Sequence, residues 1–444
     1  MTAGDRSERA SRVATGPPDV RTPGPDGRAG VARPRPATSG ELARRSEPIP
    51  RESLLLGVSI FLLICATNVL TPLLPEIRTD FGVSIATAGL IVGSYGLARL
   101  AVDLPAGFLA DRVGHRRLSV LALGLLLVSS AVGFASPSVG LLIAARVGSG
   151  IAVGILATVI IAALSATAGP GNRGKVMSLF HVANNTGIAL YPLVGGIVGA
   201  LVGWRATFVV TALLALVAAA ILVPLLLRLD LPRAGESRSG GADESRVLHG
   251  RARAVAIAVT NFGVVANMVH RHGFRNTILP LYAATSLGLG GISIATAIAL
   301  MSITGLLVAT PGGMLGDRIG RRRVIASGLA AVAVGDLVFL LTGDLVTFLL
   351  AAALIGFGDF FTSSQTALLS EIVPPGLRTR VLSGYRFSAD LGALLGPVVL
   401  AAVMDVANAQ AAIVLAAAIL FSAALAARLG VPATADRPAG GPAS

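Results

Sequence analysis

Charge is what this sequence has least of: Asp, Glu, Lys and Arg together make up 13% of its 444 residues. A soluble globular domain carries roughly twice that share, so a water-facing surface along the whole chain is excluded. Cysteine is reduced to Cys65, which rules out an intrachain disulfide and leaves the redox compartment open. Lysine is reduced to Lys175, so the net charge of +13 rests on arginine, a bias read as genome composition. The five histidines, His115, His181, His249, His270 and His272, are scattered over several segments. A membrane enzyme working on lipid head groups would need a histidine, serine or carboxylate constellation at one membrane face, and none is visible.

Apolar residues dominate instead, at 54% with a mean hydropathy of +0.78. Apolar runs of about 20 residues recur, each long enough to cross a hydrocarbon core of roughly 30 Å. Backbone polar groups in lipid must be satisfied internally, so these runs are helices. The pattern predicts helices over 54–75, 84–107, 117–136, 139–166, 175–201 and 206–227, then 254–280, 289–312, 323–342, 345–371, 379–403 and 409–428. The expected fold class is all-α, a polytopic membrane protein with twelve transmembrane helices in two pseudo-symmetric six-helix bundles. The expected domains are a disordered tail over 1–50, bundles over 51–228 and 254–429, a linker over 229–253, and a second disordered tail over 430–444. Low apolar content carries the tail assignments, and the first stretch is too long and polar for a signal peptide.

Arginine alternates between loops. The N-terminal tail, Arg112 to Arg117, Arg173 to Lys175, the linker, Arg318 to Arg323 and Arg378 to Arg380 are basic, whereas the loops between them carry almost no positive charge. Short-loop arginine bias puts basic loops inside, so both termini are expected to be cytoplasmic in a cell membrane. The same scatter argues against a nucleic-acid partner, which would need a basic module with stacking aromatics. Gly169, Gly174 and Lys175 mimic a phosphate-binding loop, but Val176 stands where Ser or Thr is required and no strand precedes it. No nucleotide or other cofactor is expected, and a proton gradient is left as the energy source.

The two halves repeat each other. Gly107, Asp111, Arg112 and Gly114 recur as Gly313, Asp317, Arg318 and Gly320, and Gly187 and Pro192 recur at nearly the same offset as Gly392 and Pro397. The stretch Gly107 to Arg117, with Asp111, Arg112, Gly114 and Arg116, resembles the signature of the major facilitator superfamily, and Gly313 to Arg323 resembles its weaker twin. Arg146 to Gly154 resembles a second superfamily motif. Gly187, Pro192, Gly195 and Gly196 resemble the motif of its proton-coupled exporters, with Tyr191 where glycine is usual, while Gly392, Gly396 and Pro397 give a closer match in the other half. The resemblance runs over roughly 52–428 and points to the twelve-helix drug:proton antiporter type. It implies two six-helix domains around a cavity lined by helices 1, 4, 7 and 10 that opens alternately to each side, in a monomer handling a small-molecule substrate within membrane lipid.

Several positions then stand as candidates. The Asp111 loop is read either as a conformational element or as a basic topology anchor, its glycines permitting a tight turn and close backbone approach. The proline and glycines of the fifth helix serve a bend or close helix packing. Ionisable residues inside a span face a cavity or one another by default: Arg146 on helix 4, and Asp359 near the middle of helix 10. A carboxylate desolvated at that depth can trade protons, which makes Asp359 the first proton-coupling candidate; its alternative is a structural partner for a cavity arginine. Asn68, Thr71, Asn261, Asn267, Arg271 and Gln365 are substrate-contact candidates. The cluster His270 to Arg275 is read either as cavity-facing or as an interfacial anchor. Arg99 and Asp103 on helix 2, and Arg386 and Asp390 on helix 11, lie four residues apart and so share a face. Their depths predict a charged gate of Arg99 with Asp390 and Asp103 with Arg386, the other seam being uncharged, with Gly305 and Ala309 facing His181 and Asn185. The expected function is secondary active transport, as proton-coupled efflux of a hydrophobic or amphipathic compound. An importer of an anionic metabolite stands as the alternative, and a membrane enzyme or transporter-like sensor as alternatives of another class.

Overall fold

The computed structural model describes residues 48–169, 172–229 and 248–432, and among them it contains helices and no strand. Twelve helical spans follow one another. The first six are α1 (Arg51–Phe81), α2 (Ile85–Val113), α3 (His115–Phe134), α4 (Val139–Thr167), α5 (Arg173–Val202) and α6 (Ala206–Arg228). The next six are α7 (Gly250–Ser286), α8 (Gly291–Ile319), α9 (Arg321–Leu341), α10 (345–372), α11 (Pro375–Val406) and α12 (Ala409–Gly430). The expected tails and most of the expected linker lie outside the described residues. At its edges the chain is more helical than expected: α7 begins at Gly250, inside the span assigned to the linker, and α12 runs to Gly430.

The two ends of the spans are built differently. At one end Ser84, Ser138, Asp344 and Asn408 cap α2, α4, α10 and α12 by accepting a backbone N–H, which satisfies orphan donors without positive charge. The Thr347 amide and hydroxyl hold the Asp344 carboxyl below its ordinary range. At the other end α3 and α9 each begin with basic residues in the first turn, where a helix dipole disfavours them. Their job there is topological rather than capping. We call this the basic end. Gly114 (φ 89°) and Gly320 (φ 99°) make the turns, a backbone region that costs a side chain dearly. The helices run right up to these glycines, so Asp111, Arg112, Asp317 and Arg318 belong to the last turns of α2 and α8 and not to loops as expected.

Three spans are interrupted near mid-length. In α1 the α-helix ends at Asn68 and a 3-10 turn, Thr71–Leu73, carries Pro72. In α7 ten residues, Val269–Ile278, form a π-helix, within which the Thr277 hydroxyl reaches the His272 carbonyl five residues back at 3.0 Å. In α10 a 3-10 turn, Asp359–Phe361, separates Leu345–Gly358 from Thr362–Ile372. Irregular backbone at membrane depth is tolerated where protein or a wet cavity satisfies it, so these breaks mark the interior.

Two bundles meet along α2 with α11 and α5 with α8. Away from the basic end they are sealed. A methyl added at Gly89, Gly93 or Gly96 would press on α11, one at Gly196 would strike Ala295 of α8, and the Ile85 amide donates to Asp405 at 3.3 Å. Leu74 and Ala88 of the first bundle join the apolar core of the second. Towards the basic end the seams part: His181, Val182, Arg386 and Phe387 are exposed, and nothing lies within 4 Å of the side-chain direction at Gly107 or Gly384. The close approach expected at Gly107 is therefore absent in this conformation. The cleft between the bundles is open at the basic end.

Candidate functional site

The interrupted backbones bring a polar cluster to the middle of the molecule. A π-helix has a wider turn than an α-helix, and within it Arg271 reaches α10 while His270 points to α9. Arg271 pairs with Asp359 at 3.5 Å. Asp359 is buried at the start of the 3-10 turn, whereas the Arg271 side chain keeps 27% of its surface despite its depth, so it faces the cleft. Behind it His270 Nδ1 lies 3.0 Å from Asp336 of α9, both fully buried, with the imidazole stacked on Phe274 at 5.3 Å. Arg275 is buried too and donates to the Ser302 hydroxyl of α8, which donates to the Ile298 carbonyl of its own helix at 2.9 Å with the Ile188 carbonyl of α5 at 3.4 Å. The interfacial-anchor reading of His270 to Arg275 is thus overturned. The cluster sits inside the span because about two further turns of helix, Leu279–Ser286, follow it.

The first bundle answers with one cation. Arg146 is buried, donates to the Thr67 carbonyl at 2.7 Å, and lies 4.8 Å from the centre of the Tyr95 ring. It does not snorkel, because the α1 helix ends at Asn68 and leaves the Thr67 carbonyl available. Tyr191 of α5, at the position where glycine is usual, donates across the seam to Asn276 at 3.3 Å. Its phenol is within electrostatic range of Arg146, Arg271 and Arg275. Among the described residues Asn68 donates to the neighbouring Thr67 hydroxyl, and the Oδ1 atoms of Asn261 and Asn267 have no hydrogen-bond partner. Gln365 is buried and accepts from Tyr385 at 3.1 Å. So Thr71, Arg146, Tyr191, Arg271 and Asp359 converge on one centre.

The remaining candidates lie on the seams. Arg99 pairs with Asp103 of its own helix at 3.8 Å, and its side chain is 36% exposed. Asp390 faces both Arg99 and Asp103 across the α2–α11 contact and also feels Arg386 of its own helix. Among the described residues the interhelical ion pairs of the expected gate are not formed in this open conformation. Gly305 abuts Asp359 and Gly356 of α10 rather than His181 of α5, which corrects the expected facing. The glycines of the bend motif pack chiefly within their own bundles: Gly187 and Gly195 admit α1, Gly392 and Gly396 admit α7, and Gly196 alone of the α5 set reaches α8. Pro192 and Pro397 lie inside α5 and α11, and the Pro397 carbonyl meets Gly89. At the basic end Asp317 pairs with Arg321 at 2.8 Å, and Arg321 with Glu371 at 2.7 Å, tying α8, α9 and α10 together. Asp111, Arg112, Arg116 and Arg318 are exposed, and Gly313 is half-buried.

Two six-helix bundles in tandem, with a charged centre between them, invite comparison with known proteins. The Major Facilitator Superfamily matches residues 56–274 and 272–443. The chain belongs to that superfamily. It is a multi-pass membrane protein of a transporter family and not an enzyme. Among curated relatives, the cephamycin export protein CmcT of Amycolatopsis lactamdurans is 32% identical over 151 residues, covering 34% of this chain and 31% of that protein. The multidrug resistance protein B homolog of Mycobacterium tuberculosis is 39% identical over 166 residues, covering 36% of this chain and 29% of that one. The matches thus span about a third of each relative. The crystal structure of peptide transporter POT in complex with sulfate superposes with a TM-score of 0.73 at 16% identity, over 90% of this chain and 99% of that one. That likeness shows the fold.

Against the superfamily fold, two positions escaped the sequence. Asp336 lies on α9, outside the four helices that the resemblance assigns to the cavity, and Ser302 carries no charge to attract notice. Asn276 was legible only as a polar residue in an apolar run. The π-helix that brings it to Tyr191 has no signature in hydropathy.

Proposed function

We propose that this superfamily member exports a hydrophobic or amphipathic compound from the cytoplasm by alternating access, in exchange for protons, with Asp359 as the proton carrier and no other cofactor. One observation carries the reading: a buried carboxylate, held by Arg271 at 3.5 Å where two broken helices meet, sits at the floor of a cleft open at one end. A proton arriving on Asp359 would release Arg271, and a change in a buried ion pair is the kind of event that biases one bundle arrangement over another. The similarity to export and multidrug-resistance proteins supports export as the direction. Arginine bias makes the basic end cytoplasmic, so the open cleft would face the side from which such cargo is loaded.

A second reading is favoured by the surplus of cations at the centre, where Arg146, Arg271 and Arg275 stand against Asp359. An importer of an anionic metabolite would use Arg271, once freed by protonation, to hold the cargo, and proton and cargo would travel together. Reconstitution in liposomes with an imposed pH gradient tests both. Exchange moves cargo against the proton flow and cotransport moves it with the flow, while flux indifferent to the gradient removes proton coupling altogether. Asp359→Asn should lose gradient-driven accumulation and keep cargo exchange, because an amide carries no proton; a variant that kept the wild-type gradient dependence would remove Asp359 from the role.

A further inference from the structure

We propose that the outer wall of the second bundle binds an anionic phospholipid, in a groove between α9 and α12 at the basic end. The groove lies away from the α2–α11 and α5–α8 seams, so the proposal is independent of the transport reading.

The groove holds about 500 Å³, within the range of small-ligand sites. Its polarity is graded along the helices. Arg323 in the first turn of α9 and Arg428 in the last turn of α12 stand at its mouth. Phe421, seven residues before Arg428 and so about 10 Å deeper along α12, is exposed, as is Leu425 between them. Ala326 and Ala424 are buried and form the floor, and Ser327 adds a hydroxyl one turn below Arg323. Arg322 donates to the Val431 carbonyl at 3.1 Å, which ties the end of α12 to the start of α9 and fixes the spacing of the two walls. Among the described residues no carboxylate lies within 4 Å of Arg428. Two cations above an apolar trough match a molecule with an anionic head and a hydrocarbon tail. A guanidinium meets phosphate oxygens in pairs, and basic pockets between spans at the membrane surface recognise anionic head groups.

Topology anchoring accounts for the arginines but not for the hollow beneath them. The repeat puts Arg117 of α3 where α9 has Arg323, and α6 carries Arg228 in its last turn as α12 carries Arg428. Below Arg117, however, Val120 and Leu121 take the places of Ala326 and Ser327, and both are exposed. The two bundles share the charges, whereas the small floor and the hydroxyl belong to the second.

The test uses the full-length protein in detergent, stripped of lipid and then mixed with equal amounts of dioleoylphosphatidylglycerol and dioleoylphosphatidylcholine, with the retained lipid counted by native mass spectrometry. Phosphatidylglycerol should be favoured about tenfold or more, and Arg323→Gln or Arg428→Gln should each lower that preference about fivefold. Ser327→Leu keeps every charge and copies the first bundle at that place, so it should lose most of the preference; it is also the readout if an arginine variant fails to fold. Arg117→Gln with Arg228→Gln removes the same charge from the first bundle and should leave the preference intact. Equal retention of the two lipids overturns the proposal. A preference that survives Ser327→Leu, or that falls equally in the first-bundle double variant, reduces it to diffuse surface charge and overturns the site. Displacement of the lipid by millimolar inorganic phosphate would assign the groove to a soluble anion. A preference that appears only in a chain ending at Pro432 would assign it to residues 433–444 of the protein itself, and either result overturns the lipid assignment.

Discussion

The two bundles share a scaffold and divide the chemistry unequally. Their glycine turns, basic helix starts and proline-containing fifth helices correspond, yet the second bundle buries His270, Arg275, Asp336 and Asp359 and half-buries Arg271 where the first buries Arg146. Carrying the repeat across, Asp359 falls opposite Val153, Asp336 opposite Ser130, and Arg146 opposite Ala352. Buried ions are weak contributors to stability and strong markers of function. The second bundle therefore concentrates the interior charge, and the first supplies one buried cation and the Tyr191 hydroxyl.

The sharpest way to break this comparison is to remove a buried ion and its counterpart in turn. Asp336→Leu strands His270 in an apolar shell and should destabilise the protein by about 3–5 kcal/mol, read as a fall in thermal unfolding temperature. Ser130→Ala on α3 removes one hydroxyl that bonds the Leu126 carbonyl at 2.8 Å and should cost about 1 kcal/mol or less. The pair Asp336→Leu with His270→Phe replaces both hydrogen-bonded partners by apolar groups and should recover most of the loss, since a buried pair can be exchanged for packing at little net cost. Equal losses at Asp336 and Ser130 would erase the asymmetry.

A middle-sized effect concerns the two seams. The α2–α11 seam carries Arg99, Asp103, Arg386 and Asp390, and in this conformation Asp390 faces both charges of α2 while Arg386 is exposed. Closure at the basic end would bring Asp103 to Arg386 and Arg99 to Asp390. Neutralising one partner of a pair that becomes desolvated should cost a few kcal/mol in the closed state alone. Asp103→Asn and Arg386→Gln are thus expected to slow turnover and to bias the protein towards the state seen here. The swap Asp103→Arg with Arg386→Asp should restore part of the transport; no rescue, with cysteines at 103 and 386 failing to crosslink, would remove the gate.

Span number and the repeat were legible because hydropathy and glycine turns are local signals, whereas the ends of α1, α2, α7 and α8 run well past the predicted limits, to Phe81, Val113, Ser286 and Ile319. Depth was legible for Asp359 and Arg146, since a charge inside an apolar run has few places to go. What hydropathy could not carry was backbone irregularity. Without the π-helix of α7, the run from His270 to Arg275 reads as a basic helix end, and its burial depends on eight further residues that continue the span. Partner choice was illegible for the same reason: Asp336 and Ser302 become interior groups only when α8 and α9 close around α7.

The smallest expected effect separates the two copies of the glycine-turn motif. Asp317 has its ion partner in Arg321, which in turn holds Glu371, so the second copy is tied into its own bundle on three helices. The first copy has His115 where the second has Arg321, and Ser165 where the repeat would place Glu371. The closer match of the first copy to the superfamily signature gives its carboxylate the conformational role between bundles as they rearrange. Asp317→Asn should therefore cost about 1 kcal/mol or less, the usual worth of a partly exposed pair, and read out as a slight fall in unfolding temperature with turnover nearly unchanged. Asp111→Asn should lower turnover several-fold. Transport assays and thermal unfolding on both variants decide it. Mild and equal defects would mean that both copies are topology anchors, for which the neighbouring arginines suffice.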